Sequence, residues 1–173
     1  AQKRFILEGV PADAIKVFGI PIRMKFAERA DKKDIARKLG LDEQMPTVLI
    51  MGGGQGLGPI KKVVKSLLEL PRDLQFIVIS GVNTKLMEWL KKAQSKTTKK
   101  LIIYDYANNV DELMDVSTVL ITKPGGMTTS ESLAKGLPMV IINPIPGQEM
   151  HNTNFLIKKG IALRVDDIDE IAY

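Results

Sequence analysis

TKPGGMTTSESLAKGLPMVIINPIPGQEMHN, residues 122–152, changes its hydrophobic period twice within a few turns of chain. An apolar run, Val119-Leu120-Ile121, ends at its start, and Pro124-Gly125-Gly126 breaks the run. Met127, Leu133 and Leu137 then fall at near-helical spacing, with Ala134 beside them, which predicts a helix over 127–135. Gly136-Leu137-Pro138 stops that helix, and Val140-Ile141-Ile142 forms a second apolar run. Past it stand Pro144, Pro146 and Gly147, followed by the polar side chains of Gln148, Glu149 and Asn152, which packing alone does not require. The pattern is strand, glycine turn, helix, strand.

The same alternation extends over most of the chain. Strands are expected near 47–51, 75–80, 100–104, 118–121, 139–142 and 161–165, and helices near 58–70, 84–97, 109–116, 127–135 and 152–159. About six strands separated by helices imply an α/β fold, a Rossmann-like, doubly wound parallel sheet. Ligands of such sheets sit beyond the carboxyl ends of the strands, so the loops at 52–58, 81, 105–107, 123–126 and 143–149 are the places to look for chemistry. Upstream, Asp31 is placed to cap a helix ending near Leu39-Gly40. The apolar pieces Phe5-Ile6-Leu7 and Ile15-Lys16-Val17-Phe18 are too short to bury themselves.

The turn at Gly125 leaves the first N–H groups of the helix without intrahelical partners, and glycines let a ligand come close to them. An anion fits there. Thr128, Thr129 and Ser130 offer hydroxyls, while Glu131 suits sugar hydroxyls better than phosphate, so the pattern points to a nucleoside diphosphate with its ribose. A capped strand-to-helix turn, with an acid favoured by the helix dipole, has the same residues.

Composition narrows the classes. The chain has 173 residues, 45% of them hydrophobic, no cysteine and one histidine. That excludes disulfides, thiol nucleophiles, thiolate zinc sites and multi-histidine metal sites within this chain. No apolar run reaches the ~20 residues that span a bilayer, and AQKRFILEGV lacks the core of a signal peptide, so a cytoplasmic protein is expected. The net charge of +5 is compatible with an anionic ligand or an anionic membrane surface, and points only weakly to nucleic acid.

Gly52-Gly53-Gly54-Gln55-Gly56-Leu57-Gly58 lacks the Lys-Ser/Thr pair of an ATPase phosphate loop, and the dinucleotide G-x-G-x-x-G fits it in no register. It remains a loop whose backbone can face a ligand, or a run of turn glycines. Tyr106, after the third expected strand, is in a loop that can bind a base edge or simply pack. His151 reads as an exposed residue of a helix start, and Asp167-Ile168-Asp169 as a helix cap rather than a metal pair. Lys85, Lys91, Lys92, Lys96, Lys99 and Lys100 around Trp89 read as a solvated helix face or as a membrane-facing one.

VLIMGGGQGLGP (48–59), DYANNVDELM (105–114), ITKPGGMTTSESLAKGLPMVI (121–141) and NPIPGQEMHN (143–152), in this order and spacing, resemble one glycosyltransferase family. It is the one that includes monogalactosyldiacylglycerol synthase and the processive diacylglycerol glucosyltransferases, with the bacterial peptidoglycan N-acetylglucosaminyltransferase as a more distant relative. The resemblance implies the C-terminal half of a GT-B enzyme, in which one Rossmann-like domain holds UDP-sugar and another the lipid acceptor. Residues 1–22, which run into the Gly19-Ile20-Pro21-Ile22-Arg23 link, resemble the last helix, strand and linker of the acceptor domain; residues 23–173 resemble the UDP-sugar domain.

By position, the resemblance assigns Gly125, Gly126, Met127 and Thr128 to the diphosphate, Glu131 to the ribose, and Gln148 and Glu149 to the donor sugar. Gly81 and the loop around Tyr106 fall on the UDP side, the latter against uracil, although Asp105 stands where bacterial relatives commonly have glycine. Gly53, Gly54 and Gly56 would line the cleft. The base that deprotonates the acceptor hydroxyl belongs to the acceptor domain, so no catalytic residue is expected in this stretch, and no metal or cofactor. A whole enzyme of the family would carry that domain before residue 1 and a further helix after Tyr173. The implied partners are a UDP-hexose, a diacylglycerol-type lipid and an anionic membrane surface on the cytoplasmic side, with no nucleic acid. A non-catalytic sugar-nucleotide module, or a UDP-sugar epimerase or hydrolase, would share these motifs.

Overall fold

Residues 2–171 are described by the computed structural model; Ala1, Ala172 and Tyr173, at the outer ends of the two expected parts, lie outside the described residues. Helix α1 (Gln2–Leu7), a 3-10 turn at Ala12–Ala14 and another at Met24–Phe26 precede helix α2 (Lys32–Leu39). Strands and helices then alternate: β1 (Thr47–Met51), α3 (Ile60–Leu68), β2 (Gln75–Ile79), α4 (Thr84–Gln94), β3 (Leu101–Tyr104) and α5 (Val110–Val116). The series continues through β4 (Val119–Thr122), α6 (Gly126–Ala134), β5 (Met139–Ile142), α7 (Gln148–Lys158) and β6 (Ala162–Val165). All neighbouring strands are parallel, in the order β3-β2-β1-β4-β5-β6. This is the doubly wound, Rossmann-like sheet expected from the sequence.

Strands β1, β2, β4 and β5 read as near-continuous apolar runs because both faces of the sheet are covered there, whereas the edge strand β6 carries Arg164 and an exposed Leu163. Alternation within each run divides the side chains between two cores. Leu49, Met51, Ile77, Ile79, Leu120, Met139 and Ile141 face one core, with Leu113 and Met114 of α5, Ile35 of α2 and Leu156 of α7. Val48, Ile50, Phe76, Val78, Ile121 and Ile142 face the other, against Ile60, Val63, Val64 and Leu67 of α3 and Leu86 and Leu90 of α4. Asp31 caps α2 as expected, accepting hydrogen bonds from the Lys33 and Asp34 N–H groups, and Gly40 ends it in the left-handed region at φ 63°.

One expectation changes. Helix α7 begins at Gln148 rather than near residue 152, because Glu149 folds back to accept the Ile145 N–H at 2.8 Å and so stabilises an earlier start. Gln148 and Glu149 are therefore first-turn helical residues, not loop residues. Ahead of α2, Ile15-Lys16-Val17-Phe18 is irregular chain that pairs with no strand of this sheet, with Val17 and Phe18 exposed.

Candidate functional site

The strand order reverses direction at β1, which has β2 on one side and β4 on the other. The helices that follow β1 and β4 leave on opposite faces, so a crevice opens between the two strand ends. Thr122 ties these ends together by donating its hydroxyl to the Met51 carbonyl at 2.8 Å. The glycine loop after β1 and the Lys123-Pro124-Gly125 turn after β4 form the two lips; a Cβ on Gly58 would lie 3.7 Å from the Lys123 side chain.

On the second lip, α6 starts at Gly125, whose backbone is extended and which brings no side-chain cap. The first helical bond runs from the Thr129 N–H to the Gly125 carbonyl at 3.0 Å. The N–H groups of Gly126, Met127 and Thr128 precede it and have no hydrogen-bond partner among the described residues. Three unpaired donors and the positive end of a helix can hold an anion. The hydroxyls divide differently from the expectation. Thr129 is buried and donates to the Gly125 and Gly126 carbonyls at 2.9 and 3.0 Å, so it serves the helix start. Thr128 and Ser130 are half-buried and keep their hydroxyls free of such bonds.

Glu131 is half-buried one turn further along α6, and no described residue makes a hydrogen bond to its carboxylate. Burial lifts its pKa above the ordinary carboxylate value, while Arg23 and Lys25 pull it down and Asp111 pushes it up. Arg23 and Lys25 come from the segment before α2 and were not legible as site residues. Lys25 is held by Asp111 at 2.6 Å and by the Asn108 carbonyl at 2.6 Å, which fixes its ammonium beside the start of α5.

Beneath the lips, Lys123 is buried, with its ammonium 3.5 Å from Glu149. The Asn152 amide donates to the Pro124 carbonyl at 2.9 Å, so the starts of α6 and α7 are joined at two points. Sequence reading missed Lys123. The available signal was a lysine set directly between the end of a buried strand, Val119–Thr122, and a Pro-Gly-Gly turn, where a buried cation needs a partner. Glu149 spends one carboxylate oxygen on the Ile145 N–H and Lys123, leaving the other free, whereas Gln148 is exposed. His151 is exposed on the same helix.

The remaining expected residues divide between solvent and packing. Gly53 and Gly54 have open space where a side chain would stand, so no packing contact requires glycine there. Gly56 and Gly81 are buried, and their Cα atoms pack the first loop onto the second: a Cβ would meet the Ser80 carbonyl oxygen from Gly56 and the Gly54 carbonyl oxygen from Gly81. Their glycine identity follows from this contact between loops, with no ligand needed to explain it. Tyr106 is 69% exposed. Its N–H is bonded to the Asp105 carboxylate at 2.6 Å, so the acid at 105 occupies a donor that a glycine there would leave free. Gly126 lies under the chain that precedes α2, since a Cβ there would come 2.8 Å from the Ile20 side chain. Asp167 accepts the Asp169 N–H and both acids face Lys62, as a cap does. Among the described residues no three acidic or histidine side chains come together in a way that could hold a metal ion, and no helix is long and apolar enough to cross a membrane.

Comparison with known proteins agrees with this architecture. Residues 47–171 match the model of the glycosyltransferase family 28 C-terminal domain. A processive diacylglycerol beta-glucosyltransferase of Bacillus cereus (strain AH187) is 38% identical over 164 residues, which are 94% of this chain and 42% of that protein. The chain thus spans less than half the length of this relative. Among solved structures, a glycosyltransferase from Rickettsia africae ESF-5 superposes with a TM-score of 0.69 at 17% identity, over 98% of this chain and 48% of that one. Anabaena HepE in complex with UDP-glucose gives a TM-score of 0.64 at 15% identity, over 99% and 49%. At such identities the structures establish the fold alone, a Rossmann-like α/β unit that corresponds to about half of each of those chains. From the family model and the sheet together, the chain belongs to the glycosyltransferase family 28 C-terminal domain family.

Proposed function

We propose that residues 23–171 form the UDP-sugar-binding half of an inverting hexosyltransferase that transfers a hexose from UDP-hexose to a diacylglycerol-type lipid. The observation that carries this reading is the uncapped start of α6 at the strand-order reversal, with Lys123 beneath it and an unbonded carboxylate, Glu131, one turn on. The Gly126, Met127 and Thr128 N–H groups take the diphosphate. Glu131 accepts from the ribose hydroxyls. Gln148 and the free oxygen of Glu149 hold the hexose, Tyr106 lies toward the base, and Gly53 and Gly54 line the cleft. The curated relative's name, diacylglycerol beta-glucosyltransferase, supports a lipid acceptor and a glucosyl donor, and the UDP-glucose bound to the structurally similar HepE supports the nucleotide.

In the reaction, the acceptor hydroxyl oxygen attacks the anomeric carbon as the bond from that carbon to the diphosphate oxygen breaks, inverting the centre. The hydroxyl proton passes to a base assigned to the acceptor domain, and UDP leaves with its new charge stabilised by the α6 amides and Lys123. No residue of this chain is given the role of base, and residues 1–22 are read as the end of the acceptor domain and its linker. The assignment needs neither a metal nor a cofactor. Titration calorimetry tests it: UDP and at least one of UDP-glucose, UDP-galactose and UDP-N-acetylglucosamine should bind, and ADP and GDP should bind far more weakly. Glu131→Ala should weaken UDP by about 1–3 kcal/mol through loss of charge-assisted bonds. Equal affinity for UDP, ADP and GDP would exclude uridine recognition, and an unchanged UDP affinity in the variant would remove Glu131 from the site.

A further inference from the structure

The chain that enters α2 runs past the crevice with an anchor at each end. Ile20 seats on Gly126, the first residue of α6, where a Cβ would come 2.8 Å from its side chain. Ile22 and Phe26 then turn into the core that also holds Val110, Leu113 and Met114 of α5. Between them a 3-10 turn at Met24–Phe26 leaves the Lys25 side chain about a third exposed. Its ammonium donates to the Asn108 carbonyl and to the Asp111 carboxylate, each at 2.6 Å. Residues 20–25 therefore connect the amides assigned to the diphosphate with the loop after β3, assigned to the base. Within that loop, Asp105 accepts the Tyr106 N–H and Ala107 is buried. Among the described residues, the hydrogen bond that reaches the loop from another segment is the one from Lys25.

We propose that Lys25 is a positioning residue of the nucleotide site, fixing the loop after β3 relative to the start of α6 and offsetting the charge of Asp111 beside the ribose carboxylate. The first role follows from the two anchors: a nucleoside diphosphate spans both subsites, so its affinity depends on their spacing. The second follows from burial. The Asp111 side chain is only 16% exposed, and its negative charge opposes ionisation of Glu131, whereas Arg23 and Lys25 favour it. A carboxylate accepts hydrogen bonds from sugar hydroxyls through both oxygens only when ionised. Lys25, bonded to the opposing acid, keeps Glu131 in that form over a wider pH range. This inference rests on the donor reading above and adds to it a residue that lies outside the helix-start motif.

Calorimetric titration with UDP over a pH series tests both roles. Lys25→Met should weaken UDP about tenfold at neutral pH, and Lys25→Arg, whose guanidinium can still meet a carboxylate and a carbonyl, should keep most of the affinity. The rise of UDP affinity that accompanies ionisation of Glu131 should move to higher pH in Lys25→Met, because Asp111 is left uncompensated. In Asp111→Asn, which keeps an acceptor for the ammonium but removes the acid, it should move to lower pH. Arg23, the other charged group acting on Glu131, is unchanged in both variants. Without UDP, residues 105–109 should exchange their amide hydrogens faster in Lys25→Met than in the native chain. Should that variant not melt cooperatively, Lys25→Gln replaces it, with the same upward shift expected. Native UDP affinity in Lys25→Met, or a loss of affinity without opposed shifts of the two pH profiles, would overturn the proposal while leaving the donor reading intact. A native chain that binds no UDP would remove the donor reading and this inference with it.

Discussion

Glu131 carries two opposed consequences of one environment. Its carboxylate is half-buried without a hydrogen bond, and burial is the largest cause of its raised pKa. A folded-state pKa above the unfolded value means that the native protein binds the proton more tightly, so folding stability falls as pH rises through the window that opens at the ordinary value of 4.5 and extends to the raised one. Ligand binding has the opposite sign, because ribose hydroxyls donate to the ionised group. Glu131→Gln should flatten that part of the stability profile in urea titrations from about pH 4 to 7. It should also remove the strengthening of UDP binding that the native chain gains as the carboxyl ionises. An unaltered stability slope in the variant would mean that other carboxyls, not Glu131, set it.

At the scale of elements, the loops after β1 and β2 are one unit. Gly56 has φ 57° and a Cβ there would stand 1.8 Å from the Ser80 carbonyl oxygen, whereas Gly54 has open space around it. Gly56→Ala should therefore cost more than about 3 kcal/mol, combining left-handed strain with a backbone clash. Gly54→Ala should change stability by less than about 0.5 kcal/mol. Equal costs in thermal unfolding would show that the loops do not depend on this contact. The pair also shows what the sequence could carry. The strands were legible as short apolar runs, near-continuous in β1, β2, β4 and β5 where both faces are covered, and the helices because the period changes between strands. Gly125 and the start of α6 were legible because a helix start is a local event. The partner of Gly56 is 24 residues away at Ser80, and the partner of Lys123 is 26 residues away at Glu149, by subtraction of their numbers. Such contacts exist only after the sheet has assembled. The early start of α7 is different: Glu149 turns back only four residues to Ile145, a local contact that the two prolines of the loop masked in the sequence.

Across the whole molecule, the segment before α2 has little regular structure of its own, yet it brings Arg23 and Lys25 beside Glu131 and buries Phe26. A buried ion pair fastens it. Lys135 and Asp115 meet at 2.6 Å with side chains only 1% and 4% exposed. Lys135 also donates to the Glu28 carbonyl, and Asp115 accepts the Ala30 N–H at 3.1 Å. These bonds join α5, the end of α6 and the incoming chain on the face opposite α3 and α4. Replacing one partner strands the other charge in the interior, so Asp115→Ala should cost about 3–5 kcal/mol in urea unfolding. The double variant Asp115→Leu, Lys135→Met removes both charges and should recover most of that loss. It still lacks the bonds to Glu28 and Ala30, so residues 23–30 should exchange their amide hydrogens faster than in the native chain, and UDP affinity should fall if the position of Arg23 and Lys25 matters to Glu131. A single variant as stable as the native chain would refute the clamp. Recovery of stability with native exchange at residues 23–30 would show that the apolar contacts of Phe26 suffice to hold the segment.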